Sequence, residues 1–226
     1  MGTKVWKYLI LEHLPVLIDV YSKSLEEIAQ NNVDSLIKVT WLSEIDNKNK
    51  DLLELIEKHR FNFICVNLNF RFNNQTEQGF MINCLSNVSK KYPTIRIMVS
   101  IQNTTIYTLK KLNQKLKPTC IIDIKDCTQQ TVNSAFRDLR KGEIFYSKSV
   151  LQLFRKFLNA NEVMDSLDYE ILYELSINTP INVLPKKVFL SASVIYKRRM
   201  RLKEFFGVSD LTDSELIREA REKGFV

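Results

Sequence analysis

Short apolar runs alternate with longer stretches of helical periodicity through about the first 140 residues. Val5 to Leu11 (VWKYLIL) is an apolar run that ends in polar Glu12-His13, and Pro15 then opens a helical pattern through Val16, Val20, Leu25 and Ile28. The alternation repeats four times. Leu36 to Thr40 precedes a helix near Asp51 to His59, and Asn62 to Leu68 precedes one near Gly79 to Lys90. Thr94 to Ile101 precedes a helix near Thr104 to Leu116, and Cys120 to Ile124 precedes one near Thr128 to Leu139. Five such units predict a doubly wound α/β domain over residues 1–142, with five parallel strands covered on both faces. Functional groups in such sheets collect at the carboxyl ends of the strands, which here carry Glu12, His13, Asn67, Ser100 and Lys125.

The pattern changes after Gly142. Residues 143–165 carry Val150, Leu151, Leu153, Phe154, Phe157 and Leu158 at helical spacing, so the segment reads as a helical linker that docks on one domain or on a second subunit. Lys186 to Val208 (KKVFLSASVIYKRRMRLKEFFGV) holds seven Lys or Arg before its first acid, Glu204. Ser191 is a good N-cap and Gly207 a natural stop, which bounds a helix from about Ala192 to Phe206. At about 100° per residue, Ile195, Leu202 and Phe206 share one face. Ser193, Lys197, Met200 and Glu204 share the opposite one, flanked by Tyr196 and Arg201. Asn182 is placed to cap a short preceding helix, Val183 to Val188, with Pro185 in its first turn. Two short helices joined by a tight turn, the second basic, make a helix-turn-helix in an all-α domain over residues 166–226.

Charge sharpens this reading. The chain carries a formal net charge of +7. Residues 166–226 hold ten basic and nine acidic groups, so their positive charge is concentrated in 186–203. Residues 1–142 hold twenty basic and fourteen acidic groups, which serve either phosphate contacts or solubility. No apolar run approaches the roughly 18–20 residues of a membrane span, and the amino end lacks a signal-peptide pattern, which places the chain in the cytoplasm with no membrane partner. Cys65, Cys84, Cys120 and Cys127 form no CxxC pair and lie far in sequence from His13 and His59. They read as reduced structural thiols, with no metal site and no cofactor.

From Leu167 to Val226 the chain resembles a LuxR-type DNA-binding domain. Leu167 to Leu172 (LDYEIL) matches its first helix, Leu190-Ser191 precedes the recognition helix, Phe206-Gly207-Val208 follows it, and Ala220 to Val226 closes the domain. Asp168, Pro180-Ile181, Pro185 and Tyr196 depart from the family pattern. Residues 1–142 resemble a response-regulator receiver domain, a flavodoxin-like fold, and Gly142 to Tyr146 resembles the receiver-to-linker junction of LuxR-type response regulators. The resemblance puts Glu12 and His13 at the receiver's acidic pair, Asn67 at the phosphoacceptor Asp, Ser100 at the hydroxyl and Lys125 at the lysine. No Asp lies between Asp51 and Asp123, so the acceptor is missing. An amide oxygen is too poor a nucleophile to accept a phosphoryl group, and Glu12 is the one carboxylate among the compared positions able to hold Mg²⁺. Such a pocket either persists as a hydrogen-bonded relic, or binds another ligand or pairs Lys125 with Glu12.

The expectation is a transcriptional regulator resembling a LuxR-type response regulator, working without aspartyl phosphorylation. Ser193, Tyr196, Lys197, Met200 and Arg201 would lie nearest base edges of double-stranded DNA, with Lys186, Lys187, Arg198, Arg199 and Lys203 nearer phosphates. The expected assembly is a homodimer, with RNA polymerase or another regulator as further partners. The rival is an adaptor that uses the basic helix and receiver-like domain to bind proteins. The chain has no glycine-rich phosphate loop, nucleophile elbow or carboxylate cluster beyond the depleted pocket, which argues against an enzyme.

Overall fold

The computed structural model describes residues 4–31, 35–43, 52–69, 78–160 and 163–226. It divides into two compact units, one of residues 1–103 and 111–151 and one of residues 104–110 and 152–226.

The first unit is built on β1 (Lys4–Leu11), β2 (Ser35–Leu42), β3 (Phe63–Asn67), β4 (Arg96–Ile101), β5 (Cys120–Asp123) and β6 (Phe145–Tyr146). All pair in parallel, in the order β2-β1-β3-β4-β5-β6. The expected five strands are therefore six. The sixth is two residues long, too short to register as an apolar run, and it forms because Gly142 turns the chain back after the preceding helix with φ of 83°. The positive φ is what calls for glycine here, and a Cβ at Gly142 would in addition press on the Arg96 guanidinium at 3.0 Å.

The intervening helices are α1 (Pro15–Gln30), α2 (Leu52–His59), α3 (Gln78–Lys91), α4 (Ile106–Lys115) and α5 (Gln129–Lys141). The start expected for α2, Asp51, lies outside the described residues. Pro15 opens α1, where its missing N–H removes no helical bond, and Thr128 caps α5 by accepting from Thr131 N at 3.2 Å. Alternate strand residues bury opposite faces. Tyr8, Ile10, Phe63, Cys65, Met98 and Ile122 pack with Tyr21 and Leu25 of α1 and Val132, Phe136 and Leu139 of α5. On the other face Leu9, Leu11, Ile64, Val66, Ile97 and Val99 are equally buried, as are Ile56 of α2 and Leu85 and Val88 of α3. Each such aliphatic or aromatic side chain contributes about 1.5–3 kcal/mol when withdrawn from water, which is why near-continuous apolar runs specify these strands.

The chain continues through α6 (Lys148–Ala160), whose apolar set divides: Val150 and Leu153 are buried, Leu151 and Leu158 exposed. The second unit contains α7 (Ser166–Ser176), α8 (Leu184–Val188), α9 (Ala192–Phe206) and α10 (Asp213–Glu222). Its core gathers Tyr169, Leu172, Leu184, Ile195, Leu202, Phe206, Leu216, Ala220 and Phe225. The α9 boundaries follow the caps: Ser191 Oγ accepts from Val194 N at 3.4 Å, and Gly207 closes the helix at φ of 75°. Asn182 does not cap α8. Its N-cap is Val183, without a side-chain bond, and Pro185 supplies the start. Segment 104–110, in the same unit, contributes Tyr107, which stacks on Tyr173 with ring centroids 4.1 Å apart and donates to Glu170 Oε2 at 3.0 Å.

Candidate functional sites

Strand register brings one set of expected residues together. Leu11 pairs with Val66, Asn67 with Ser100, and Ile101 with Asp123, so the carboxyl ends of β1, β3, β4 and β5 form one edge. This edge spans the point where the strand order reverses between β1 and β3. Glu12 is 1% exposed there, and its Oε1 accepts from His13 N at 2.9 Å, Leu14 N at 3.0 Å and Asn67 Nδ2 at 2.9 Å. Asn67 Oδ1 accepts in turn from Asn69 N at 2.9 Å, and Ser100 Oγ turns to the Val66 carbonyl at 3.4 Å. Neutral N–H donors thus satisfy one oxygen of this buried carboxylate, Oε1. His13 Nδ1 lies 3.8 Å from Oε1, outside hydrogen-bond range.

Lys125 points away from this group, so of the alternatives left open for the pocket its pairing with Glu12 is not the one formed. Its ammonium lies 3.5 Å from Asp123 Oδ2, and its side chain is 63% exposed. The physical reason is local: Asp123 caps a single 3₁₀ turn, Ile124–Asp126, whose Lys125 N donates to Asp123 Oδ1. The residues do not fit Mg²⁺ either. Oε2 of Glu12 is the spare carboxylate oxygen, it sits beside the donating Asn67 amide, and no group of three His, Cys, Asp or Glu gathers among the described residues. Nearby Cys127 is pushed up to about 11 by burial, then by Glu12 and Asp126, so it stays a thiol at neutral pH.

The second set lies on α8 and α9, and its cations fall into two groups. Arg198 Nη1 donates to Asp165 Oδ1 and Asp168 Oδ1, both at 2.8 Å. Arg201 also pairs with Asp168, which is 0% exposed. Arg199 pairs with Asp213, while Lys203 reaches Asp213 Oδ1 at 3.2 Å and the Leu211 carbonyl at 2.7 Å. Arg198, Arg199 and Lys203, expected near phosphates, and Arg201, expected near bases, are thus each engaged by a carboxylate of the chain itself. These groups tie α9 to the first turns of α7 and α10, where carboxylates also favour the helix dipole. Asp165 and Asp168 additionally form a capping box, Asp165 Oδ1 accepting from Asp168 N at 3.1 Å and Asp168 Oδ2 from Asp165 N at 2.9 Å. Burial works against the charge on Asp165, but hydrogen bonds from Arg198 and the helix start outweigh it, holding the carboxyl below its usual range.

The other group is open. Lys186, Lys187 and Lys197 are exposed and unpaired among the described residues. Around Lys197 stand Ser193, Tyr196 at 60% exposure and Met200, all on the face opposite buried Ile195, Leu202 and Phe206. Reasoning from sequence passed over Asp165 and Asp213 as partners of α9. The D-x-x-D and T-x-x-E spacings at residues 165–168 and 212–215 announce helix starts, but nothing local says which arginines will reach them.

No family model matches the chain, and no curated protein matches it. Solved structures do. RcsB from Salmonella enterica serovar Typhimurium, bound to a promoter in the presence of the phosphomimetic BeF3⁻, is 17% identical over 96% of this chain and 98% of its own, with a TM-score of 0.60. A second such complex on another promoter is 16% identical over 95% and 97%, with a TM-score of 0.59. A complex of the two-component response regulator RcsB with DNA is 16% identical over 96% and 98%, with a TM-score of 0.56. At these identities the likeness is one of fold: the chain has the fold of the response regulator RcsB, a receiver-like α/β part followed by a helical part.

Proposed function

We propose that this protein is a sequence-specific, DNA-binding transcriptional regulator of the LuxR-type response-regulator kind, cytoplasmic and homodimeric, whose receiver-like domain works without aspartyl phosphorylation. The observation that carries the reading is the division of α9: four of its cations are spent on Asp165, Asp168 and Asp213, while Lys197 remains on an exposed face with Ser193, Tyr196 and Met200. A helix clamped through one face and open on the other suits insertion into a major groove. The RcsB structures it resembles are complexes with DNA, which supports the same reading. In this reading the exposed Lys186 and Lys187 contact phosphates before the groove is read. Independence from phosphorylation is supported by Asn67, whose amide is bonded to Glu12 at the position of an acceptor.

Selection of genomic fragments by the purified protein at about 150 mM salt, with and without a phosphoryl donor, tests both parts. One enriched motif, unchanged by the donor, is expected. No enrichment overturns the DNA reading, and enrichment only with the donor overturns phosphate independence.

A further inference from the structure

A groove on the receiver-like unit plays no part in the function proposed above. It lies between the end of α1 and the outer side of α5, beside Trp6 of β1, and has a volume of about 480 Å³. Small-ligand sites occupy roughly 300–1,000 Å³, so it is large enough for an organic anion. Its charge is one-sided. Arg137, Arg140 and Lys141 line it against a single carboxylate, Glu27, whose Oε2 already accepts from Asn133 Nδ2 at 2.7 Å.

These three cations are weakly engaged. Arg137 lies 3.6 Å from Asp138, its neighbour in sequence, and donates to Ser134 Oγ at 3.2 Å, one turn back on the same helix, while Lys141 lies 3.8 Å from Glu143. Among the described residues Arg140 makes one side-chain hydrogen bond, a long 3.5 Å contact to Ser35 Oγ, and its guanidinium stands 5.5 Å from the Trp6 ring centroid. The contrast with Arg198, held by carboxylates at 2.8 Å, is direct. Position at a helix carboxyl end favours Arg140 and Lys141 through the dipole, but it explains neither Arg137, a turn earlier, nor the groove.

We propose that this groove binds the oligophosphate group of a small molecule, with Arg137, Arg140 and Lys141 as the phosphate partners. Two guanidinium groups and an ammonium match two or more linked phosphates, and a single phosphate would leave cations unanswered. The proposal is independent of how α9 functions.

Calorimetric titration of the full chain with inorganic tripolyphosphate, and separately with ATP, tests it, with the change in tryptophan fluorescence, lost in a Trp6→Phe variant, as a second readout for the non-absorbing tripolyphosphate. One saturable site is expected for at least one of the two. The double variant Arg137→Gln/Lys141→Gln, both exposed positions, should weaken it by about tenfold or more, the loss of a charge-assisted hydrogen bond, while leaving the thermal midpoint and duplex binding unchanged. Tighter binding of ATP would assign a nucleotide, and equal binding the phosphates alone. Absence of saturation with both probes, or wild-type affinity in the double variant, overturns the proposal. So does a double variant whose loss is confined to duplex affinity, which would make the groove a contact with the DNA backbone.

Discussion

Glu12 and Asp168 are both buried carboxylates just ahead of or within the first turn of a helix, and the chain satisfies them in opposite ways. Glu12 is held by two backbone N–H groups and the Asn67 amide, all neutral, and keeps one oxygen without a hydrogen-bond partner among the described residues. Asp168 takes one backbone N–H, from Asp165, but is held chiefly by two arginines of α9. Neutral donors settle a strand edge without committing any cation, whereas guanidinium groups convert part of a basic helix into structure. Counting positive charge along α9 therefore overstates what is available to a polyanion.

The comparison breaks most visibly if Asp168 is removed. Asp168→Ala leaves Arg198 with Asp165 alone, takes this carboxylate from the half-exposed Arg201 and opens the capping box, and losing a charge-assisted hydrogen bond of this kind typically costs about 1.5–3 kcal/mol. Both tryptophans, Trp6 and Trp41, belong to the first unit, so their fluorescence should unfold in urea as in the wild type, while circular dichroism shows a second, earlier transition. Coincident, unshifted transitions would mean that the cluster contributes little.

The Glu12 side is sharpened by Asn67→Asp, expected to cost about 1–3 kcal/mol at neutral pH because a donor becomes a second carboxylate. One of the two acids would then titrate above its ordinary range. A group whose pKa is raised on folding is stabilised in its protonated form, so the lost stability should return as pH falls through that raised value. Tryptophan fluorescence in urea, at neutral and mildly acidic pH, reads both effects, and an equal loss at the two pH values would exclude carboxylate repulsion as the cause.

How far these features were legible in the sequence depends on their range. Apolar runs and caps are local, so the first five strands, the face of α9 and its limits at Ser191 and Gly207 follow from the residues themselves. β6 was not legible because two residues carry no period. The strand-end group of Glu12, Asn67 and Ser100 followed from where the apolar runs end, the resemblance to receivers supplied its roles, and the register assembles it. Lys125 escaped because a capping bond to Asp123, two residues away, wins over a longer reach. The arginine pairs escaped because their partners lie 14 to 33 residues away in sequence and meet only through packing.

Acid should probe both units through milder contacts. Asp126 and Asp165 are each held below the ordinary carboxylate range: burial opposes this, but Ser147 and Ser149 outweigh it for Asp126, and Arg198 and the helix start do so for Asp165. Carboxylates depressed on folding stabilise the native state above their unfolded pKa of about 3.9 and cease to do so as pH falls through the folded value. Stability should therefore be flat from neutrality to about pH 4 and fall below it. Asp126→Asn should flatten the fall seen by fluorescence, and Asp165→Asn the fall seen by circular dichroism alone. A decline beginning well above pH 4 would point to other groups.

Lys197→Ala should disturb the fold least and discriminate most. The side chain is exposed and has no partner among the described residues, so unfolding should shift by less than about 0.5 kcal/mol. If α9 reads bases through this face, affinity for the selected sequence should fall by about 1–3 kcal/mol at fixed salt, with a smaller loss on a scrambled duplex. Arg199→Ala supplies the converse, because Arg199 is paired with Asp213 and should lose stability before specificity. Equal losses on both duplexes for Lys197→Ala would make it a phosphate contact, and the exposed face would then owe its selectivity to Ser193, Tyr196 and Met200. Unchanged binding to both would remove the outer face of α9 from the DNA interface, leaving its paired arginines as the helix's principal business.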